Sequence, residues 1–258
     1  MTSPATTVTT VAEGVARIAW AADLQDEGLT ATIEVVRREV EAALVAHVRV
    51  ETLVSPDDEQ AQRVATWSGL RREGVMRGVT VSGEPVDRIV YARLASDAPS
   101  HTGDGFRALL NSFLPRKRAI SQMLIRDPDQ RVLLCQLTYK QDWDLPGGVV
   151  EVGESPRLAV EREVEEELGL HLPAGDLLLT DWLPPWGGWD DAICLVFDGG
   201  AHPPEITAQI VKQAREIRAA EFCTRDELRD RCADFTARRI EAALLHVGDS
   251  PAYTESGL

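Results

Sequence analysis

Residues 161–168, EREVEEEL, put five glutamates into eight positions. If the segment is helical, Glu163 and Glu167 differ by about 40° around the axis and Glu166 lies about 60° to the other side. Like charges so placed repel by a few tenths of a kcal/mol per pair. A hard divalent cation reverses that cost, because Mg²⁺ (or Mn²⁺) takes carboxylate oxygens together with substrate phosphates. The three carboxylates are therefore expected to converge on one ion or a small cluster. Two glycines, Gly147 and Gly148, precede them, and bare backbone there lets a carbonyl approach such an ion. The competing explanation is a solvated acidic helix face.

The wider spacing separates these readings. Gly148 is followed after five residues by Glu154, and after seven more by Arg162, Glu163, Val164, Glu166, Glu167, Gly169 and Leu170. This is the pattern GX5EX7REUXEEXGU, with U aliphatic, and it resembles the signature of the Nudix hydrolases at every specified position. A chance match is on the order of 10⁻⁹ per starting position at average residue usage. The approach Trp143-Asp144-Leu145-Pro146 and the downstream EIRAAEF and DEL are similar to the same family.

The resemblance covers residues 117–247 and implies an αβα sandwich of the α/β (α+β) class. It further implies hydrolysis of a nucleoside diphosphate linked to a group X, with Mg²⁺ or Mn²⁺. Carried over by position, Gly147, Glu163, Glu166 and Glu167 are metal ligands. Arg162 ties the loop to the helix through Glu154 by a charge-assisted bond. The base is Glu163 or Glu216.

The substrate is read from TDWLPPWGGWDD, residues 180–191. Trp186 and Trp189 could stack on a base, each contact worth roughly 1–3 kcal/mol, or simply cover a loop. Trp182 is a candidate for the same substrate-binding platform, with its place at the end of a strand favouring the core. Pro185 lies at about the distance past the box that is similar to the marker of Nudix ADP-ribose pyrophosphatases. ADP-ribose or another nucleoside-diphosphate sugar ranks first, and a (d)NTP or modified nucleotide second. A nucleotide sensor without hydrolysis is the alternative of another class, and the complete box argues against it.

Elements must hold these residues. Ser155 as N-cap, Pro156 at the first position and Gly169 at the end predict a helix over 156–168. Val160, Val164 and Leu168 give it an apolar stripe. AISQMLI and RVLLCQLTY, separated by RDPDQ, read as a hairpin. DAICLVFDGG reads as a strand, a helix is expected near 225–246, and the tail 248–258 is expected to be disordered.

Ahead of a linker and short helix at 96–116, residues 1–95 alternate strands and helices and end in a hairpin, an α/β pattern. They resemble, loosely, part of a GNAT acetyltransferase. The implied pyrophosphate loop is Gln25-Asp26-Glu27-Gly28-Leu29-Thr30, where Asp26 and Glu27 bring the wrong charge and Thr30 replaces a small residue. Asp58 and Ala61 depart from the family's second helix, and the strands that shape the acceptor pocket have no room before residue 15. A working acetyltransferase and a non-catalytic partial GNAT-like scaffold, exposing a sheet edge that favours a homodimer, are the two readings.

Bulk properties exclude other classes. Among 258 residues, 44% are hydrophobic and 27% charged, the composition of a globular chain. A net charge of −15 repels phosphate backbones, so nucleic acid is not expected as a partner. No apolar run has membrane-span length, no signal segment is recognisable, and the four cysteines lack a CxxC pair. A cytoplasmic chain, with no membrane partner, is the expectation.

Overall fold

The computed structural model describes residues 5–21, 28–81 and 83–258. The chain divides into two compact units, Met1–Pro115 and Arg116–Leu258.

Unit 1 holds a five-stranded sheet in the order β1 (Thr6–Ala12), β2 (Val15–Trp20), β3 (Arg49–Val54), β5 (Glu84–Leu94), β4 (Arg71–Val81). Helices α1 (Leu29–Ala43) and α2 (Glu59–Trp67) bury Val36, Val40, Val64 and Ala65 against Ala16, Ile18, Val50 and Val54. Strands β2 and β3 run parallel and pair only over Val15–Arg17 and Arg49–Glu51. The residues before Val15 add one strand, β1, in an antiparallel hairpin with β2. Helix α3 (Gly103–Phe113), the short helix expected within 96–116, is capped by the Thr102 hydroxyl and belongs to unit 1 rather than to a separate linker. Asp58 caps α2 by accepting from the Ala61 N–H at 2.9 Å. Gln25, Asp26 and Glu27 lie outside the described residues.

Unit 2 is built on one large sheet with the path β12 (Ile217–Cys223), β7 (Val132–Leu137), β6 (Arg118–Arg126), β11 (Ala192–Ala201), β10 (Leu177–Leu183), β13 (Ala252–Glu255). Side chains alternate across it, as the two-residue period of a strand requires. Met123, Ile125, Leu133 and Cys135 join the core under helix α4 (Pro156–Leu168). Leu124, Val132 and Leu134 join the opposite core under α5 (Arg225–Arg231) and α6 (Asp234–Leu245). Unit 2 is thus a three-layer αβα sandwich.

The expected hairpin of β6 and β7 pairs only at its base, Arg126 with Val132. Beyond that pair the strands part. The gap receives β8 (Trp143–Asp144), paired with β7, and β9 (Gly147–Val149), paired with β6. This wedge places the two glycines in the sheet. Two further expectations are corrected. The helix near 225–246 breaks at Cys232–Ala233, both extended, where Cys232 bridges to the Trp143 backbone. The tail is not disordered, because Ala252–Glu255 adds to β10 as the parallel strand β13.

Candidate active site

Helix α4 forms where its punctuation places it. Ser155 Oγ accepts from the Leu158 N–H at 3.3 Å, Pro156 occupies the first turn, and Gly169 closes the helix at φ 66°. Val160, Val164 and Leu168 are fully buried, about 1.5–3 kcal/mol of transfer energy apiece for side chains of this size. That stripe fixes the rotation of the helix, and with it the acidic face.

Each glutamate on that face has its own surroundings. Glu167 is only 4% exposed, and its Oε2 accepts from the Gly147 N–H at 3.0 Å. Burial pushes its carboxyl up to about 8, and the nearby Glu163, Glu216 and Asp144 carboxylates add to the rise against that hydrogen bond. Glu163 lies against the backbone of Gly148, where an added Cβ would stand 2.5 Å from its Cδ. Its carboxyl is also raised, first by burial and further by Glu166 and Glu216. Glu166 is exposed and bonds to Arg162 Nη1 at 3.1 Å. Arg162 makes the bond to Glu154 that the sequence leads one to expect, in bidentate form, at 3.0 and 3.1 Å. It therefore clamps the loop before α4 onto the helix.

The three box glutamates share one face, but their carboxylates do not converge. Among the described residues no three carboxylate, thiol or imidazole groups stand together as a cage for a metal ion. The reason is local. Arg162 Nη1 lies 3.1 Å from both Glu163 and Glu166, and the Gly147 N–H takes Glu167. The donor set still fits a hard cation: carboxylates that force one another's protons on are the surroundings a divalent charge relieves.

The remaining residues are less uniformly placed. Glu216 is exposed, in the turn ahead of β12, and its charge acts on both Glu163 and Glu167. Trp182 is half-buried, donating from Nε1 to Asp191 Oδ2 at 3.3 Å, a structural contact. Trp186 and Trp189 are 62% and 60% exposed and exchange backbone hydrogen bonds across Gly187-Gly188, whose φ values of 57° and 86° suit a two-residue hairpin turn. Trp186 meets Phe235 edge-on at 5.5 Å, and the Arg118 guanidinium lies 4.7 Å over Trp189. Pro185 is exposed in the same loop.

Sequence reasoning missed Gln122 and Asp144 as neighbours of the glycines. Gln122 pairs with Gly147 in register, and its Nε2 donates to Asp144 Oδ1 at 2.8 Å. No motif marks a glutamine inside an apolar strand; only its polarity within AISQMLI hints at a buried partner.

Residues 115–244 match the model of the NUDIX domain, and the chain belongs to that family. A MutT-like protein of Streptomyces ambofaciens is 29% identical over 130 residues, covering 49% of this chain and 75% of that protein. An RNA pyrophosphohydrolase of Rhodospirillum rubrum is 32% identical over 77 residues, covering 30% of this chain and 44% of that protein. Among solved structures, a MutT NUDIX hydrolase from Burkholderia pseudomallei is 26% identical with a TM-score of 0.42, covering 52% of this chain and 99% of that one.

Proposed function

We propose that unit 2 hydrolyses the pyrophosphate bond of a small nucleoside diphosphate linked to a further group, with ADP-ribose or another nucleoside-diphosphate sugar as the favoured class. The observation that carries this reading is the buried Glu167, its proton held to about pH 8 beside Glu163, Glu216 and Asp144 at a turn of two glycines. Glu163, Glu166, Glu167 and the Gly147 carbonyl are the groups suited to hold Mg²⁺ or Mn²⁺. That cation would neutralise charge on the bridging and leaving oxygens and make water a better nucleophile near neutral pH.

This chain's own residues supply the rest. Arg162, through its bidentate bond to Glu154, keeps the loop and α4 in one register. Glu163 is already bound by Arg162, whereas Glu216 has no ion-pair partner among the described residues. That difference favours Glu216 as the base that receives the proton of the attacking water. Trp186 and Trp189 are largely exposed, Trp189 with the Arg118 guanidinium over its ring and Trp186 edge-on to Phe235, and this exposure suits them to stacking on the base. The Rhodospirillum rubrum relative is named for RNA, but a net charge of −15 disfavours a polynucleotide here.

Unit 1 is best read as a non-catalytic scaffold that pairs two copies of the chain. Its sheet leaves β1 and β4 at the edges.

A panel of ADP-ribose, nucleoside-diphosphate sugars, dinucleoside polyphosphates and dNTPs, assayed with Mg²⁺, tests the substrate ranking. Diphosphate-linked sugars should turn over fastest; turnover confined to triphosphates would replace that ranking with the (d)NTP reading.

A further inference from the structure

Asp181, on β10, is fully buried, and each of its oxygens is engaged. Oδ1 accepts from the Thr254 hydroxyl at 2.8 Å and from the Gly257 N–H at 2.9 Å, both in the C-terminal segment. Oδ2 accepts from Arg239 Nε at 2.8 Å. Arg239, itself 2% exposed, donates from Nη1 to Gln122 Oε1 at 3.1 Å, and Gln122 Nε2 donates to Asp144 Oδ1 at 2.8 Å. Gln122 pairs with Gly147, whose N–H holds Glu167. A series of side-chain hydrogen bonds thus runs from the C-terminal strand, through the core under α6, to Asp144, three residues ahead of Gly147, and Gln122 itself stands opposite Gly147 in the strand register.

The series has a direction. Asp144 as a carboxylate can only accept, so Gln122 must present its NH₂ group to it. The amide is kept that way round because its oxygen already receives Arg239 Nη1 and the Cys194 thiol, at 3.1 and 3.2 Å. If Arg239 swings away, the amide is free to flip, and its oxygen then faces the Asp144 carboxylate. Two acceptors opposed in a low-dielectric interior repel, and the strand carrying Asp144 and Gly147 shifts. Arg239 is held in turn by Asp181, and Asp181 by the tail. Gly257 packs closely on the α6 backbone: at φ 75° a Cβ there would stand 2.6 Å from the backbone nitrogen of Arg239.

We propose that Thr254 and Gly257, acting through Asp181, Arg239 and Gln122, are positioning residues for the Gly147-Gly148 turn, so that the C-terminal strand sets the geometry of hydrolysis. This rests on the hydrolase reading of unit 2. Thr254→Val keeps the shape and removes the donor, and Thr254→Ser restores it. With Mg²⁺ and the nucleoside-diphosphate sugar that turns over best, Thr254→Val in the full-length chain should lower kcat about tenfold with KM changed less than about twofold, and Thr254→Ser should recover most of the loss. Ile240→Val, which loosens α6 without touching these bonds, serves as the stability control. Unchanged kcat in Thr254→Val overturns the proposal, as does an equal kcat loss in Ile240→Val at the same drop in Tm. A second readout needs no turnover: amide hydrogen exchange at Gly147 and Gly148 should quicken about tenfold in Thr254→Val but not in Ile240→Val. If no substrate is hydrolysed the hydrolase reading falls alone, and unchanged exchange at those two amides overturns the relay.

Discussion

Glu167 faces a conflict that shapes its chemistry. Its ordinary pKa of 4.5 would leave it ionised at neutral pH, yet burial and three nearby carboxylates move it to about 8. Between those two values the folded chain keeps a proton that the unfolded chain has released. Stability therefore falls as pH rises through that window and levels off above it. Without divalent cations, the Tm of unit 2 should drop by about 5 °C between pH 5.5 and 8.5, measured by scanning fluorimetry. Mg²⁺ should flatten the slope, since it binds the ionised form, and Glu167→Gln should flatten it without Mg²⁺. The same variant, and Glu166→Gln, should lower kcat by roughly a hundredfold or more while unit 2 stays folded. Wild-type rates at saturating Mg²⁺ would remove these residues from the site. The box itself was legible from its spacing, and the NUDIX domain match over residues 115–244 agrees with it. The present partners of its residues were not, because the sequence does not show that one Arg162 nitrogen stands between Glu163 and Glu166.

At the scale of elements, the wedge of β8 and β9 into the splayed β6–β7 hairpin makes the two glycines unequal. An added Cβ at Gly147 would stand 2.2 Å from the Ser121 carbonyl oxygen, and its φ of 136° is itself unfavourable for other residues. Neither contact can relax without moving the sheet. At Gly148 the same atom meets only the end of the Glu163 side chain, at 2.5–2.8 Å, and that side chain can rotate away. Gly147→Ala should therefore cost about 2–4 kcal/mol of stability, as backbone clash and strain do. Gly148→Ala should leave Tm within a few degrees yet reduce kcat by about tenfold or more, because it displaces Glu163. Chemical denaturation and steady-state rates on the two variants separate these effects. Helix α4 was readable to the residue because its caps and apolar stripe are local signals. The splay of β6 from β7, the break at Cys232 and the strand β13 were not. Each depends on a partner distant in sequence: the 143–149 segment, the Trp143 backbone, and β10.

For the whole molecule, the proposed pairing of two copies rests on the edges of the unit 1 sheet. Strand β1 is paired on one side only, and Val8 and Val11 on it are 38% and 43% exposed. An edge of this kind, six of its seven residues threonine or valine, is a template for a second strand. Two copies of a chain with net charge −15 also repel, so pairing should strengthen as salt screens that repulsion. Light scattering should give twice the single-chain mass, with the dimer fraction rising between about 50 and 500 mM NaCl. Val8→Lys with Val11→Lys adds charge to the edge and should yield monomers at every salt concentration, with pyrophosphate hydrolysis retained. A wild-type chain that stays monomeric across that range would leave unit 1 without its proposed role. Binding of acetyl-CoA at micromolar affinity by calorimetry would instead favour the acetyltransferase reading, against the charge that Asp26 and Glu27 bring to its expected phosphate loop.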